Sequence, residues 1–309
     1  MNSGLRCVLV VVDAASGSRV AIEKAAAVAA AGGARLRLFS CSHDPRLAAR
    51  LFLSPDSLSA ARAAELRQRR ARLEALAAPL RERGLEVDVE VAWDAPLHAG
   101  ILTEVSLARP DLVVKEAAWQ ESLMRRLFTH TDWRLMQACP VPVLLTHQAP
   151  WSSPRRVAAA IDPGHPGDPA AVMDHAILTQ AERLAGWLGA SLAAVHAYLP
   201  MDPAMLGAAA AGMPWSPPDG APGLDMRSAA SAAVQSVLDT HALPQDAAHL
   251  LEGAAIDVIP AWCRSHGTDV LVVGVVSRSR LAETVIGSTA ERLLERVPSD
   301  LLAVRGPPR

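Results

Sequence analysis

The segment LVVGVVSRSRLAETVIGSTAERLLERVPSDLLAVR concentrates residue types that can hold an anion. An apolar run ends at Gly274, a polar loop follows, and Gly287, Ser288 and Thr289 open an amphipathic helical pattern. Glycine lets the backbone approach a ligand closely, and Ser or Thr at a helix start adds a hydroxyl to the free backbone amides. Those unpaired N–H groups, with the positive end of the helix dipole, make an anion site that needs no lysine. A phosphate chain could lie across Gly274 and Gly287-Ser288. Asp162, one strand away, could accept hydrogen bonds from a base amine or a ribose hydroxyl. The same glycines are also ordinary turn and cap chemistry, and Asp162, like Asp13, could simply cap the helix after its strand.

Other constellations are thinner. His165, Asp168, Asp174 and His175 cluster around a helix start, but helical spacing does not converge them on a metal, and a solvated loop is the plainer reading. His130 and Asp132 read as a helix N-terminus capped by Thr129 or Thr131. The run RAAELRQRRARLEALAAPLRERG keeps Leu at helical spacing with interleaved Glu, which is a solvated amphipathic face rather than a nucleic-acid patch. The sequence contains no GxxxxGK[ST], GxGxxG or GxSxG motif, no paired carboxylates on one face and no Cys–His nucleophile pair. No residue is assigned a catalytic role.

These residues need elements to position them, and the chain supplies the same set twice. Strand CVLVVVD closes on Asp13, and strand RRVAAAID closes on Asp162. After the first come a helix ended by Gly32 and Gly33, strand RLRLFSCS, an Arg-rich helix over about 57–83 and strand LEVDVEVAW. A helix over 95–108, strand DLVVK, one more helix and strand CPVPVLLTH complete the half. The second half repeats the order through a helix over 170–189, SLAAVHAY, a helix over 228–241, a strand at 248–252, IPAWCRSHGTDVLVVG and finally VPSDLLAVR. Its extra length sits in LPMDPAMLGAAAAGMPWSPPDGAPG, which reads as an inserted loop. Near-continuous apolar strands alternating with helices imply an α/β fold with a parallel sheet covered on both faces and doubly wound. Such sheets bind ligands at the carboxyl ends of their strands, where Asp13, Asp162, Lys115 and Gly274 fall. The expected units are 1–148 and 154–309, joined by a linker at 147–154.

Composition sets the bounds. A chain of 309 residues fits two ordinary domains, and 50% hydrophobic content is ample for their cores. Aromatics at 4% leave the cores to Leu, Val, Ile and Ala. A formal charge of −2 offers no basic footprint, so nucleic acid is not an expected partner. Cys7, Cys41, Cys139 and Cys263 are scattered, which fits neither a zinc knuckle nor a redox CxxC and suggests reduced cytoplasmic thiols. The opening apolar run is too short for a signal-peptide core, and no run is long enough to span a membrane.

The stretch from Gly274 resembles the G-x2-G-x9-G-[ST] signature of the ATP-binding branch of the universal stress protein family. Gly274, Gly287 and Ser288 match at the right intervals, while Ser277 stands at the second glycine. The aspartate closing each first strand, the phrases WDAP and FTHTDWRLMQACPVPVLL and the final strand resemble long tandem members of the UspE type, over essentially the whole chain. The resemblance implies two Rossmann-like, adenine nucleotide alpha hydrolase-like domains, paired through their last strands as an internal pseudo-dimer. Both a self-contained chain and a further homodimer are compatible with that pairing. It implies an ATP pocket in the second domain only, in which Asp162 meets the nucleoside and Ala197 and Val273 contact the adenine. Gly274, Ser277, Gly287, Ser288 and Thr289 would line the ribose and phosphates, with magnesium only as a companion of ATP and no metal site of the protein's own. Where Ser277 required φ > 0, it would cost about 1 kcal/mol relative to Gly.

In the first half Lys115 is aligned with Gly274, Ala118 with Ser277 and Thr129-His130 with Gly287-Ser288, so no motif glycine remains. Lys115 is expected to bridge Asp13 and fill that pocket. The implied function is a non-catalytic cytoplasmic stress regulator that binds adenine nucleotide, with slow ATP hydrolysis as its upper limit and protein partners unspecified. Two alternatives stand beside it: a nucleotide-free scaffold, and a carrier of another small ligand around Asp13, Lys115 and His130.

Overall fold

A computed structural model describes residues 4–13, 18–42, 55–120, 125–164, 171–200, 226–241, 243–275 and 288–306. The apolar runs become buried strands. The first half gives β1 (Cys7–Val11), α1 (Arg19–Gly32), β2 (Arg35–Ser42), α2 (Pro55–Glu82), β3 (Val87–Trp93), α3 (Leu97–Ala108) and β4 (Leu112–Glu116). A short antiparallel hairpin, β5 (Ala118–Gln120) with β6 (Arg125–Leu127), precedes α4 (His130–Ala138) and β7 (Val143–Thr146). The second half gives β8 (Arg156–Ala160), α5 (Val172–Leu188), β9 (Ser191–Tyr198), α6 (Met226–His241), β10 (Ala248–Glu252), α7 (Ala255–Ser265), β11 (Val270–Val275), α8 (Ser288–Arg296) and β12 (Asp300–Arg305). All of β1 and β7 is buried, as a strand covered on both faces must be. Gly33 ends α1 in the left-handed conformation (φ 66°), and its N–H closes onto the last-turn carbonyls.

Ten strands form one sheet, in the order β10-β9-β8-β11-β12-β7-β4-β1-β2-β3. Each half contributes five parallel strands with its first strand in the middle, so the order switches between β1 and β4 and between β8 and β11. The halves meet where β12 and β7 pair antiparallel, Leu301 opposite Leu145, Leu302 opposite Leu144 and Ala303 opposite Val143. Joining the last strands hides two edges that would otherwise be open to other chains.

The buried apolar residues form one cluster on each sheet face, and each cluster runs through the seam. One lies under α1, α2, α5 and α6 and extends from Leu5 to Val304. The other lies under α3, α4, α7 and α8 and includes Leu135, Leu145 and Leu301. The seam also holds a buried polar knot. The Asp300 carboxylate is fully buried and pairs with Lys24 Nζ at 2.7 Å. It also accepts from the His147 backbone N–H at 2.9 Å and from Trp151 Nε1 at 2.7 Å. One carboxylate thus ties a helix of the first half, the linker and the last strand of the second.

Candidate functional site

The carboxyl ends of β9, β8 and β11 carry the described part of the candidate site. The β8–β11 ladder pairs Val157 with Val270 through Ala159 with Val272, and its register ends there. Beyond that point the strands part, as doubly wound sheets do at a switch point. Val273 (6% exposed) and Ala197 both pack into the core cluster under α7 and α8, and Asp162 follows β8 at the same edge. Three of the expected nucleoside residues therefore stand at the ends of three neighbouring strands, about 4.8 Å apart from strand to strand.

Asp162 is not a helix cap. Ala171 occupies the N-cap position of α5, as Ser18 does for α1. The Asp162 backbone N–H instead donates to Asp174 Oδ1 at 2.8 Å, which leaves the Asp162 carboxylate 61% exposed at the mouth. Behind it lies His196, 7% exposed, with Nδ1 at 3.1 Å from the Ile161 carbonyl and 4.0 Å from Asp162 Oδ1. A carbonyl can only accept, so His196 carries its proton on Nδ1 and presents an N–H close to the aspartate. Sequence reading weighed Asp174 only as a metal candidate and missed His196. An acidic residue in the helix turn facing a strand end was the available signal for Asp174, whereas nothing local marks His196.

Gly274 has a packing reason for being glycine. A Cβ there would lie 2.7 Å from Met173 Cγ and Sδ and 3.1 Å from Ile177 Cδ1 of α5. The bare side of this residue faces a helix. Ser288 and Thr289 begin α8, whose first-turn amides have no helical partner. Ser277 and Gly287 lie outside the described residues, as do His165, Asp168 and the larger part of the inserted loop.

The equivalent edge of the first half is built differently, and it corrects the alignment of Lys115. Asp111 N–H bonds to the Cys7 carbonyl as Asp269 N–H bonds to that of Arg156. Counted from there, Glu116 opposite Thr146 corresponds to Gly274 opposite Val304, and Lys115 corresponds to Val273. Nor is Asp13 the residue Lys115 bridges. Lys115 Nζ pairs with Asp132 Oδ1 at 2.8 Å and donates to the Glu116 carbonyl at 3.0 Å. Asp132 is fully buried on α4, and a buried carboxylate requires a counter-charge. Its other oxygen accepts from Thr129 N–H at 2.7 Å and Thr129 Oγ1 at 2.8 Å, while Thr129 Oγ1 accepts from Asp132 N–H at 3.2 Å. This is a complete capping box. The helix start that corresponds to Ser288 is occupied by the chain's own carboxylate. Beside it, His98 lies 5.4 Å from His130 ring to ring, and burial, then the nearby Arg134, lowers the His98 pKa.

The sequence model of the universal stress protein family matches residues 4–147 and again residues 155–305. The chain belongs to the universal stress protein family. It is a tandem member, and the family assigns it a role in the stress response. It is 24% identical over 302 residues to universal stress protein E of Photorhabdus laumondii, covering 96% of this chain and 94% of that one. Against universal stress protein E of Escherichia coli K12 the identity is 23% over 297 residues, with 96% and 93% covered. A solved structure from Pseudomonas aeruginosa PAO1, described as functionally unknown, superposes with a TM-score of 0.69 at 25% identity, over 98% of this chain and 93% of that one.

Among the described residues, no group of three His, Cys, Asp or Glu is placed to hold a metal, and no helix is long and apolar enough to cross a membrane. The four cysteines are free, and burial pushes the Cys139 and Cys263 thiols up to about 11.

Proposed function

We propose that this protein is a cytoplasmic stress-response regulator whose second domain, 154–309, binds ATP without turning it over at any useful rate. The carrying observation is the contrast between the two strand-end sites. In the second domain the strands part, an apolar floor of Ala197 and Val273 lies beside an exposed Asp162, and α8 begins at Ser288. In the first, 1–148, the helix start is filled by Asp132 and neutralised by Lys115. On this reading one domain keeps a cradle and the other has closed it.

Bound ATP would rest its adenine on Ala197 and Val273 and donate from its ribose to Asp162. Its phosphates would reach the first turn of α8, which Ser288 and Thr289 begin, and Ser277 and Gly287 are proposed to line them as well. Magnesium would accompany the triphosphate as its counter-ion. Titration calorimetry on the full chain tests this reading. The expected result is one ATP per chain, abolished by Gly287→Val and weakened about tenfold by Asp162→Ala, the loss of one charge-assisted hydrogen bond. Absence of binding at millimolar ATP would overturn it.

The packing of Gly274 under Met173 favours a second reading, a nucleotide-free scaffold that keeps this glycine for structure alone. On that reading Gly287→Val leaves stress tolerance intact.

A further inference from the structure

The two domains differ at a second place, at the amino ends of their strands. In the first domain β2 carries Arg35 and Arg37. Arg37 Nε donates to Glu104 Oε1 of α3 at 2.5 Å, and its two Nη atoms lie 3.8 Å from Asp88 and 3.7 Å from Glu90 of β3. Glu104 is 5% exposed, so this guanidinium and its carboxylates fill the space between α3 and the sheet.

Strand register identifies the counterparts. Leu36 pairs with Val8 as Leu192 pairs with Val157, which makes Ser191 and Ala193 the equivalents of Arg35 and Arg37. Val89 opposite Leu38 matches Ala248 opposite Ala194, so His249 replaces Glu90. Trp262 replaces Glu104, each being the eighth residue of its helix. Two long cations have become Ser and Ala, and an open cavity of about 360 Å³ lies there, lined by Ala193, Asp246, His249, Trp262, His266 and Thr268.

We propose that this cavity is a second ligand site, for a small, uncharged, planar heteroaromatic molecule. Its volume suits one small ligand. The carboxylates that hold a cation in the first domain are gone, and Arg156 lines the cavity opposite in sign to Asp246, so neither net charge is favoured. The walls are flat and aromatic. Trp262 stacks on His266 at 4.2 Å, and His249 lies 5.0 Å from Trp262. Burial, then the neighbouring His266, lowers the His249 pKa, so at neutral pH its imidazole is uncharged and offers one donor and one acceptor to a ring nitrogen or N–H. Arg156, Ser191 and Thr268 stand where strands begin, so the site is separate from the candidate ATP mouth and does not depend on it.

Saturation-transfer NMR with benzimidazole and the full chain tests the site. Transfer to benzimidazole is expected with the natural sequence. It should fall at least tenfold in Ala193→Arg, which restores the first domain's side chain, and in Ala193→Leu, which fills the space with apolar atoms. Asp162→Ala should leave it unchanged. Circular dichroism identifies which filler is folded, and Ala193→Leu covers the case in which a buried arginine is not tolerated. No transfer at millimolar benzimidazole, or undiminished transfer in a folded filler variant, overturns the proposal.

Discussion

At the scale of single residues, Gly274 owes its missing side chain to the helix packed against it, beside any part it has in the proposed ATP site. A methyl group there would have to displace Met173, and forcing atoms into a filled space costs about 1–3 kcal/mol. Gly274→Ala is therefore expected to lower the urea midpoint, and Met173→Ala should recover most of the loss in the double variant. If that double variant is stable but binds no ATP, the glycine is also needed by the ligand. The two buried thiols make a separate prediction. Cys139 and Cys263 stay protonated in the folded chain up to about pH 11, whereas unfolded thiols ionise near 8.5. The unfolded state then holds fewer protons between those values, so stability falls as pH rises, by about 3 kcal/mol per thiol over the whole interval. Cys139→Ala should flatten that slope in urea unfolding followed between neutral and strongly alkaline pH.

At the scale of elements, the strands were legible because covered strands read as unbroken apolar runs, and α1 was legible through its terminal glycine. The hairpin of β5 and β6 was not, since three-residue strands leave no period to read. The misplacement of Lys115 has a similar cause. DVLVVG holds one more apolar residue than DLVVK, and matching by the last apolar residue shifts the register by one. Asp162, Ala197 and Val273 could be named from the strand ends and the family motif. His196 and Met173 enter through crossings between distant segments, which no local pattern encodes. The start of α4 was legible, with Thr129 and Thr131 both offered as its cap, and the structure selects Thr129 in a capping box with Asp132. Thr129→Ala is expected to cost about 1–2 kcal/mol by urea unfolding, with the helical signal of native circular dichroism little changed.

At the scale of the whole molecule, the knot at Asp300 makes the halves one cooperative body. Asp300→Ala would leave Lys24 buried without its counter-charge and is expected to cost about 3–5 kcal/mol, read as a lower urea midpoint with a single transition retained. Pairing Asp300→Leu with Lys24→Met should restore much of it, because removing both charges also removes the cost of burying either. The antiparallel meeting of β7 and β12 has one more consequence. Parallel strands in each half run in opposite senses across the seam, so the two carboxyl edges face opposite poles of the molecule. On the proposed function, ATP would be bound at the pole bearing Asp162 alone. The pole bearing Asp132 also carries the amino ends of the second domain's strands, so the two proposed ligand sites of that domain open toward opposite ends of the molecule.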